Sequence, residues 1–462
     1  MSGLANKFAT RLGRRFGLED EMGVEPEMGT AGEGTDVLPE NPENTVEAGL
    51  AENAEMEQQV QEEQVQADAI EESAETLQEV KEGLESAMAR GGVTAGEAYA
   101  YQVAIRAAMR PFGLHKQAAA SLENVGSERS RLEATRITLE SIVETLKTWW
   151  NAFVAQISKL FETIKGWFGG LFNNVKRLEE RADALITKAG EIKGSKDKEK
   201  IKSGVSKDMS KTEKNVTAKS EILANFRAAT SFIETAEGST SDDAKDVADG
   251  IISTIENAKF DKASLEALLK EKAVDYTMDG VTKAAGDKFK ADGATVKISE
   301  TLAGGKVIVV TTPNDITKDS KLINPATTLS KVKAEIKDFV EWKGESSAEV
   351  EALESADVIT VCKEIKAMCQ TITRYQSLQK NRESELERAK TAAKKAVDKF
   401  AKDAKGEGSA EQVTNAKGLS SGMIGFTTTM TKFLASGISY NQKLLSSMLN
   451  YCNDSLKNYK AS

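Results

Sequence analysis

Apolar residues recur at seven-residue intervals along one stretch: Leu132, Leu139, Leu146, Phe153, Leu160 and Trp167. A second series, Val143, Trp150, Ile157, Ile164 and Leu171, runs three residues ahead of members of the first. A 3,4 repeat sustained this long is a heptad seam and predicts a helix from about Ser127 to Trp167. At 1.5 Å per residue that helix spans roughly 60 Å. Gly169-Gly170 predicts a break, after which Leu171, Val175, Leu178, Ala182 and Leu185 resume the spacing to about Ile192. Residues 124–192 therefore read as a heptad helical hairpin. Just upstream, Thr94 and Glu97 have capping-box spacing, so each side chain can satisfy a backbone N–H left open at a helix start. That helix should run to about Met109 and stop before Pro111.

The pattern changes on either side of the seam. Leu4, Phe8, Leu12 and Phe16 recur every four residues with basic residues between them, a short basic amphipathic helix. It fits a docking peptide for another protein, or, alternatively, a membrane-surface helix. Up to about Thr45 the chain is polar and acidic and reads as disordered. From Val46 to Met88, apolar positions such as Val60, Val65 and Leu77 are too sparse for an independent core. A solvated helix, or one that needs a partner, is the expectation.

Downstream, residues 191–220 hold nine lysines and five acids among Ser and Gly, read as a mobile basic linker over 193–220 or an extension of the preceding helix. Residues 221–330 read as a small α+β module. Its helices carry Ile222, Leu223, Phe226 and Ile233, then Val247, Ile251, Ile252 and Ile255. Its convincing strands, Thr295–Ser299 and Lys306–Thr311, face each other across Gly304-Gly305 as one β-hairpin. Residues 331–462 read as a C-terminal helical bundle. Val361, Cys362, Ile365, Met368, Cys369 and Ile372 share one face, and a last helix follows Gly418–Gly422 near Phe433–Tyr459. Short loops between long helices imply antiparallel packing. The fold class is mostly α: an elongated helical bundle, one small hairpin module and a disordered acidic N-terminal arm.

Charge sharpens the division. Residues 1–18 net +4, residues 19–88 net −21 and residues 89–123 net +2. The 123 residues up to Glu123 thus carry −15 of the chain's −10, leaving +5 beyond it. A split of this kind concerns partners rather than fold. No run of 18 apolar residues exists, so no membrane-spanning helix is expected. The N-terminus lacks the apolar core of a secretory signal peptide.

The chemistry of catalysis is thinly represented. His115 is the one histidine, which rules out a multi-His metal site within one chain; a His-based triad is not expected either. Cys362, Cys369 and Cys452 form no disulfide framework and read as free thiols. On one helix the Cα atoms of Cys362 and Cys369 would lie roughly 10 Å apart, too far to bridge. No glycine loop ending in Lys-Ser/Thr follows a strand. The acidic cluster reads as a solvated face rather than metal ligands. No catalytic residue, cofactor or metal is expected.

The order of these elements resembles the internal head proteins of large tailed bacteriophages, also called inner-body or prohead-core proteins. The resemblance is carried by the acidic arm, Gly91-Gly92-Val93-Thr94-Ala95-Gly96-Glu97-Ala98, Ser121-Leu122-Glu123, and Arg131–Ile142 with its Trp-rich continuation. It covers about residues 1–175. It implies that the arm is a propeptide, removed by a phage prohead protease that cuts after Glu in a small-residue-x-Glu site. Ser121-Leu122-Glu123 fits that rule at the charge boundary. Ala69-Ile70-Glu71, Ser73-Ala74-Glu75 and Ala95-Gly96-Glu97 fit it within the arm, and Ser264-Leu265-Glu266 fits it within a predicted helix. The implied protein is a non-enzymatic component of the phage head, synthesised in the host cytoplasm and cleaved after Glu123. Its implied partners are the protease, other head core or capsid proteins and, weakly, packaged DNA. The alternative is a membrane-active or host-directed protein ejected with the genome, read from Trp149, Trp150, Phe153, Phe161, Trp167, Phe168 and Phe172. A regular heptad with charges on the far side favours a helix–helix core for that face over a membrane contact.

Overall fold

A computed structural model describes residues 42–110, 128–256, 280–291, 293–313, 332–403 and 407–459. Their chain divides into two compact units. One holds Glu62–Gln156, the other Asn41–Gln61 and Ile157–Ser462. Helices α1 (Pro42–Ala89) and α3 (Glu128–Glu191) contribute to both, and α2 (Ala95–Ala108) belongs to the first. The disorder expected up to about Thr45 falls, except at its end, outside the described residues.

In the first unit, α1 is the partner-dependent helix its sequence implied, and the partners come from its own chain. Leu77, Val80, Leu84 and Ala87 follow 3,4,3 spacing and bury against Val93, Ala98, Ile105 and Ile142. Tyr101, Leu139 and Leu146 pack at the edge of this cluster. Val65, counted among the sparse apolar positions, is exposed. The turn from α1 to α2 needs Gly92 at φ +97°. A Cβ there would also lie 2.7 Å from the backbone of Arg131, so the residue must be glycine on two grounds.

The upstream half of the heptad corrects the sequence reading. Leu132 is exposed, and Leu139 and Leu146 are only half-buried. The buried stripe runs instead through Thr135, Thr138, Ile142, Thr145 and Trp149. These positions repeat at the same 3,4 spacing, rotated around the helix. Thr135, Thr138 and Thr145 each return their hydroxyl to a carbonyl four residues back, which hides the polar atom and leaves a methyl for packing. The leucines mark one stripe, whereas the packing of α1 and α2 selects the neighbouring stripe of threonines with Ile142 and Trp149.

In the second unit the heptad series is buried as expected through Ile157, Leu160, Ile164, Trp167 and Leu171. The expected break at Gly169-Gly170 is absent, and so is the hairpin. α3 is one helix of 64 residues, about 96 Å long at 1.5 Å per residue. Gly170 of the pair, with Gly49 of α1, serves close approach, whereas a Cβ on Gly169 would meet nothing. A Cβ on Gly170 would lie 2.7 Å from Asn53 Oδ1, and one on Gly49 would lie 2.6 Å from Asn174 Oδ1. Gly49 and Gly170 thus let α1 and α3 come together. That contact outweighs the roughly 1 kcal/mol that glycine costs a helix interior.

Among the described residues, the rest of the second unit holds two sheets and three long helices. Strand β1 (Lys200–Ser203) pairs antiparallel with β6 (Ala348–Glu351), in register Ile201 to Val350. The segment read as a mobile linker is therefore built into the fold. Its short helix α4 (Val205–Asp208) and the following turn bury Val205, Met209 and Val216 between the lysines. The second sheet has the order β2 (Lys283–Ala284), β3 (Ala294–Ile298), β4 (Lys306–Pro313), β5 (Lys333–Asp338), all antiparallel. The expected β3–β4 hairpin is present, with Ile298 opposite Val309. The start of the expected helical bundle is instead strand: residues 332–351 carry β5 and β6. Val332, Ala334 and Ile336 alternate there with Lys333, Glu335 and Lys337, the period of a strand.

Helix α5 (Lys219–Glu256) precedes the second sheet; α6 (Ser355–Asp403) and α7 (Glu407–Lys457) complete the unit. The expected face of α6 is buried at Val361, Cys362, Ile365, Cys369 and Ile372. Ser455 Oγ of α7 accepts from Leu353 N, and the Tyr459 hydroxyl from Ser355 N, so α6 and α7 run antiparallel. α7 continues through Gly418 and Gly422, where a break was expected. From Ile424 to Leu449 it is buried nearly all round. Packing on every side holds a helix that glycine-rich sequence alone would not.

Candidate processing sites and the helix that carries them

Ser121, Leu122 and Glu123 lie outside the described residues, in the connection between α2 and α3. Ser264, Leu265 and Glu266, the N-terminal amphipathic stretch and His115 lie outside them too. The arm's other candidate sites are described. Ala69, Ile70, Glu71, Ser73, Ala74 and Glu75 all fall in the middle of α1. Ile70, Ser73 and Ala74 are buried, and Ala69 and Glu71 half-buried. Ser73 Oγ donates to Ala69 O at 2.6 Å and Thr76 Oγ1 to Glu72 O at 2.9 Å.

The helix that carries these sites lies antiparallel on α3. Within the first unit, Gln156 Nε2 donates to Glu63 O at 3.3 Å and to Gln66 Oε1 at 3.2 Å. Farther along α1, Trp149 Nε1 donates to Ile70 O at 3.2 Å in a buried contact. Val93 N donates to Thr135 Oγ1 at 3.1 Å, tying the α1–α2 turn to α3.

Ala95-Gly96-Glu97 forms the first turn of α2, and the capping box expected there is complete. Glu97 N donates to Thr94 Oγ1 at 3.3 Å, and Thr94 N donates to Glu97 Oε2 at 2.9 Å. Arg90 pairs with Glu97 at 3.2 Å. The backbone N–H of Thr94 above all, aided by its hydroxyl and by Arg90, holds the Glu97 carboxyl below its ordinary pKa against the opposing effect of burial.

Within the second unit, the start of α1 is held by polar contacts. Asn53 Nδ2 and Asn174 Nδ2 both donate to Gln442 Oε1 at 3.2 Å, while Gln442 Nε2 donates to Leu171 O at 2.6 Å. This buried network joins α1, α3 and α7. Lys432 Nζ donates to Gln61 Oε1 at 3.0 Å, and Lys443 lies 3.7 Å from Glu57. Acidic and amide side chains of α1 thus meet basic ones of α7.

The same unit contains a cavity of about 500 Å³ lined by Lys207, Asp208, Lys306, Trp342, Lys443 and Ser447, among others. Several of its polar groups are engaged with each other, while the Trp342 indole N–H is buried without a hydrogen-bond partner. Lys306 pairs with Asp338 at 2.7 Å, and Ser447 Oγ donates to Asp208 Oδ2 at 2.7 Å. Lys207 Nζ sits 6.0 Å from the centre of the Trp342 ring. Burial raises the Asp208 carboxyl above its ordinary pKa despite that hydroxyl.

Cys362, Cys369 and Cys452 are buried and free. Burial pushes the Cys369 thiol up to about 12, and contact with Cys362 together with burial raises Cys452. Thiols held protonated in this way are poor nucleophiles. Among the described residues no cluster of His, Cys, Asp and Glu could hold a metal ion.

The described aromatic side chains of α3 are core rather than surface; the Trp150 side chain lies outside the described ones. Trp149, Phe153, Phe161, Trp167, Phe168 and Phe172 are buried, with Trp149 stacked on Phe153 and Phe168 on Phe172. No helix among the described residues is long and apolar enough to cross a membrane.

The sequence matches the family of phiKZ-like phage internal head proteins over residues 43–454. The chain belongs to that family. The matched span takes in the acidic helix as well as both sheets and the C-terminal helices, so α1 is part of the family's shared architecture. Membership places this internal head protein inside the phage head, in a structural role among other head components. Neither the curated proteins nor the solved structures contain a match.

Proposed function

We propose that this chain is a non-enzymatic structural protein of the head interior. Its N-terminal arm brings it into the prohead, the phage prohead protease cleaves it after Glu123, and it is packaged with the DNA. The family match over residues 43–454 carries the structural reading. The processing reading is supported by Ser121-Leu122-Glu123, a small-residue-x-Glu tripeptide at the boundary between a segment of −15 and a body of +5. A protease needs an extended substrate, and a connection between two helices offers one more readily than a helix interior. Before cleavage the acidic segment opposes contact with nucleic acid; a body of +5 makes weak, salt-sensitive contact with packed DNA. The membrane-active alternative loses support, because Trp149, Phe153, Phe161, Trp167, Phe168 and Phe172, six of the aromatic residues that suggested it, are buried. The test is a phage carrying Glu123→Gln. Its heads should contain this chain uncut at that bond, and a chain still shortened there would refute the assignment.

A further inference from the structure

Resting on the processing reading above, we propose that the cut after Glu123 does not by itself release the acidic segment. α1 and α2 stay seated on α3 as a separate chain, and the α3 face from Thr135 to Gln156 is a docking surface for that fragment. The occupant is residues 42–110, and the contacts that hold it do not pass through the severed bond.

In the first unit, Leu77, Val80, Leu84, Val93 and Ile105 of the fragment are fully buried in one cluster with Ile142. Trp149 Nε1 is bonded to Ile70 O, and Thr135 Oγ1 accepts from Val93 N. Large buried apolar side chains resist separation because water must be readmitted to all of them at once. In the second unit, Asn53 shares the buried amide network with Asn174 and Gln442, and Gln61 and Glu57 meet Lys432 and Lys443. Cutting the tether removes only the high effective concentration it imposed. The apolar contact remains.

The charge consequence is direct. While residues 1–123 stay, their −15 stays with the body, and the complex keeps the chain's −10. The +5 body appears only when the fragment leaves. Two small-residue-x-Glu sites lie where a second cut would divide its contacts, at Ala69-Ile70-Glu71 and Ser73-Ala74-Glu75. Both are held in helical conformation and partly buried on α3, so these bonds open after the one at Glu123. The back-bonded hydroxyls of Ser73 and Thr76 weaken the helix at this point.

The test uses the full chain with the recognition sequence of a sequence-specific protease inserted between Glu123 and Asn124. After complete cutting in native buffer, gel filtration with light scattering should give one peak containing both pieces, at the mass of the uncut chain. Separate elution of the fragment at micromolar concentration would overturn the proposal. A second version carries Leu77→Asp and Leu84→Asp: its fragment should leave once the tether is cut. If the doubly substituted fragment still co-elutes, the α3 face is not what holds it and the proposal fails. Processing itself is read separately, by whether chains in phage heads begin at Asn124.

Discussion

The indole Nε1 of Trp149 donates to the main-chain oxygen of Ile70 at 3.2 Å, out of contact with water. This bond ties the aromatic stretch of α3 to the middle of the acidic helix, beside the glutamates at 71 and 75. A buried indole N–H is stabilised by a partner, and here the partner lies upstream of the proposed cut.

Trp149→Ala should therefore loosen α1 rather than α3 alone. Loss of a buried tryptophan costs about 3–5 kcal/mol, while Trp149→Phe keeps most of the packing and should cost about 1 kcal/mol for the lost hydrogen bond. Hydrogen exchange of α1 amides should accelerate strongly in the alanine variant and slightly in the phenylalanine variant. Equal protection in both would show that Trp149 does not anchor the helix.

Two carboxylate insertions on α3 distinguish the buried stripe from the one drawn through the largest residues. Ile142 is fully buried and Leu132 is exposed. Ile142→Asp should abolish cooperative melting of the first unit, because an unpaired charge would be buried. Leu132→Asp should change stability by less than about 0.5 kcal/mol. Thermal unfolding followed by circular dichroism separates the two, and the reverse order would restore the original seam.

This pair of residues also shows what was legible in the sequence. Periodicity located α3, the capping box at Thr94 and Glu97 and the β3–β4 hairpin, because each depends on residues close in the chain. It failed where distant residues decide. Gly169-Gly170 reads as a break until Asn53 is seen against Gly170. The lysines of residues 193–220 read as a linker until β1 meets β6. Thr135, Thr138 and Thr145 read as polar until their hydroxyls are seen turned back into the helix. For the proposed sites, sequence supplied the tripeptides, while the packing of α1 on α3 needed the fold.

The capping box predicts a pH signature. The Glu97 carboxyl is held below its ordinary pKa, chiefly by the Thr94 backbone N–H. Its stabilisation is thus fully present above the unfolded value of 4.5 and is lost as pH falls through the lowered folded value. Glu97→Gln should be less stable than the parent at pH 7 and match it in strong acid. Thr94→Ala should cost about 1 kcal/mol at pH 7. Urea unfolding at both pH values checks the sign.

Asp208 predicts the opposite sign. Burial raises its carboxyl pKa above 3.8, so the charged form is disfavoured in the fold. Stability associated with it falls as pH rises from 3.8 through the raised folded value. Asp208→Asn, which still offers Ser447 an acceptor, should raise the melting temperature at pH 7 and have little effect below pH 3.8. A lowered melting temperature at pH 7 would mean that the carboxylate is needed.

The central claim is that a head protein with a packed acidic segment is cut at the boundary of that segment. Amino-terminal sequencing of this chain from purified, DNA-filled heads tests it most directly. The account predicts a sequence beginning Asn124-Val125-Gly126. Chains that begin upstream of Ser121, with no Asn124 terminus, would contradict it.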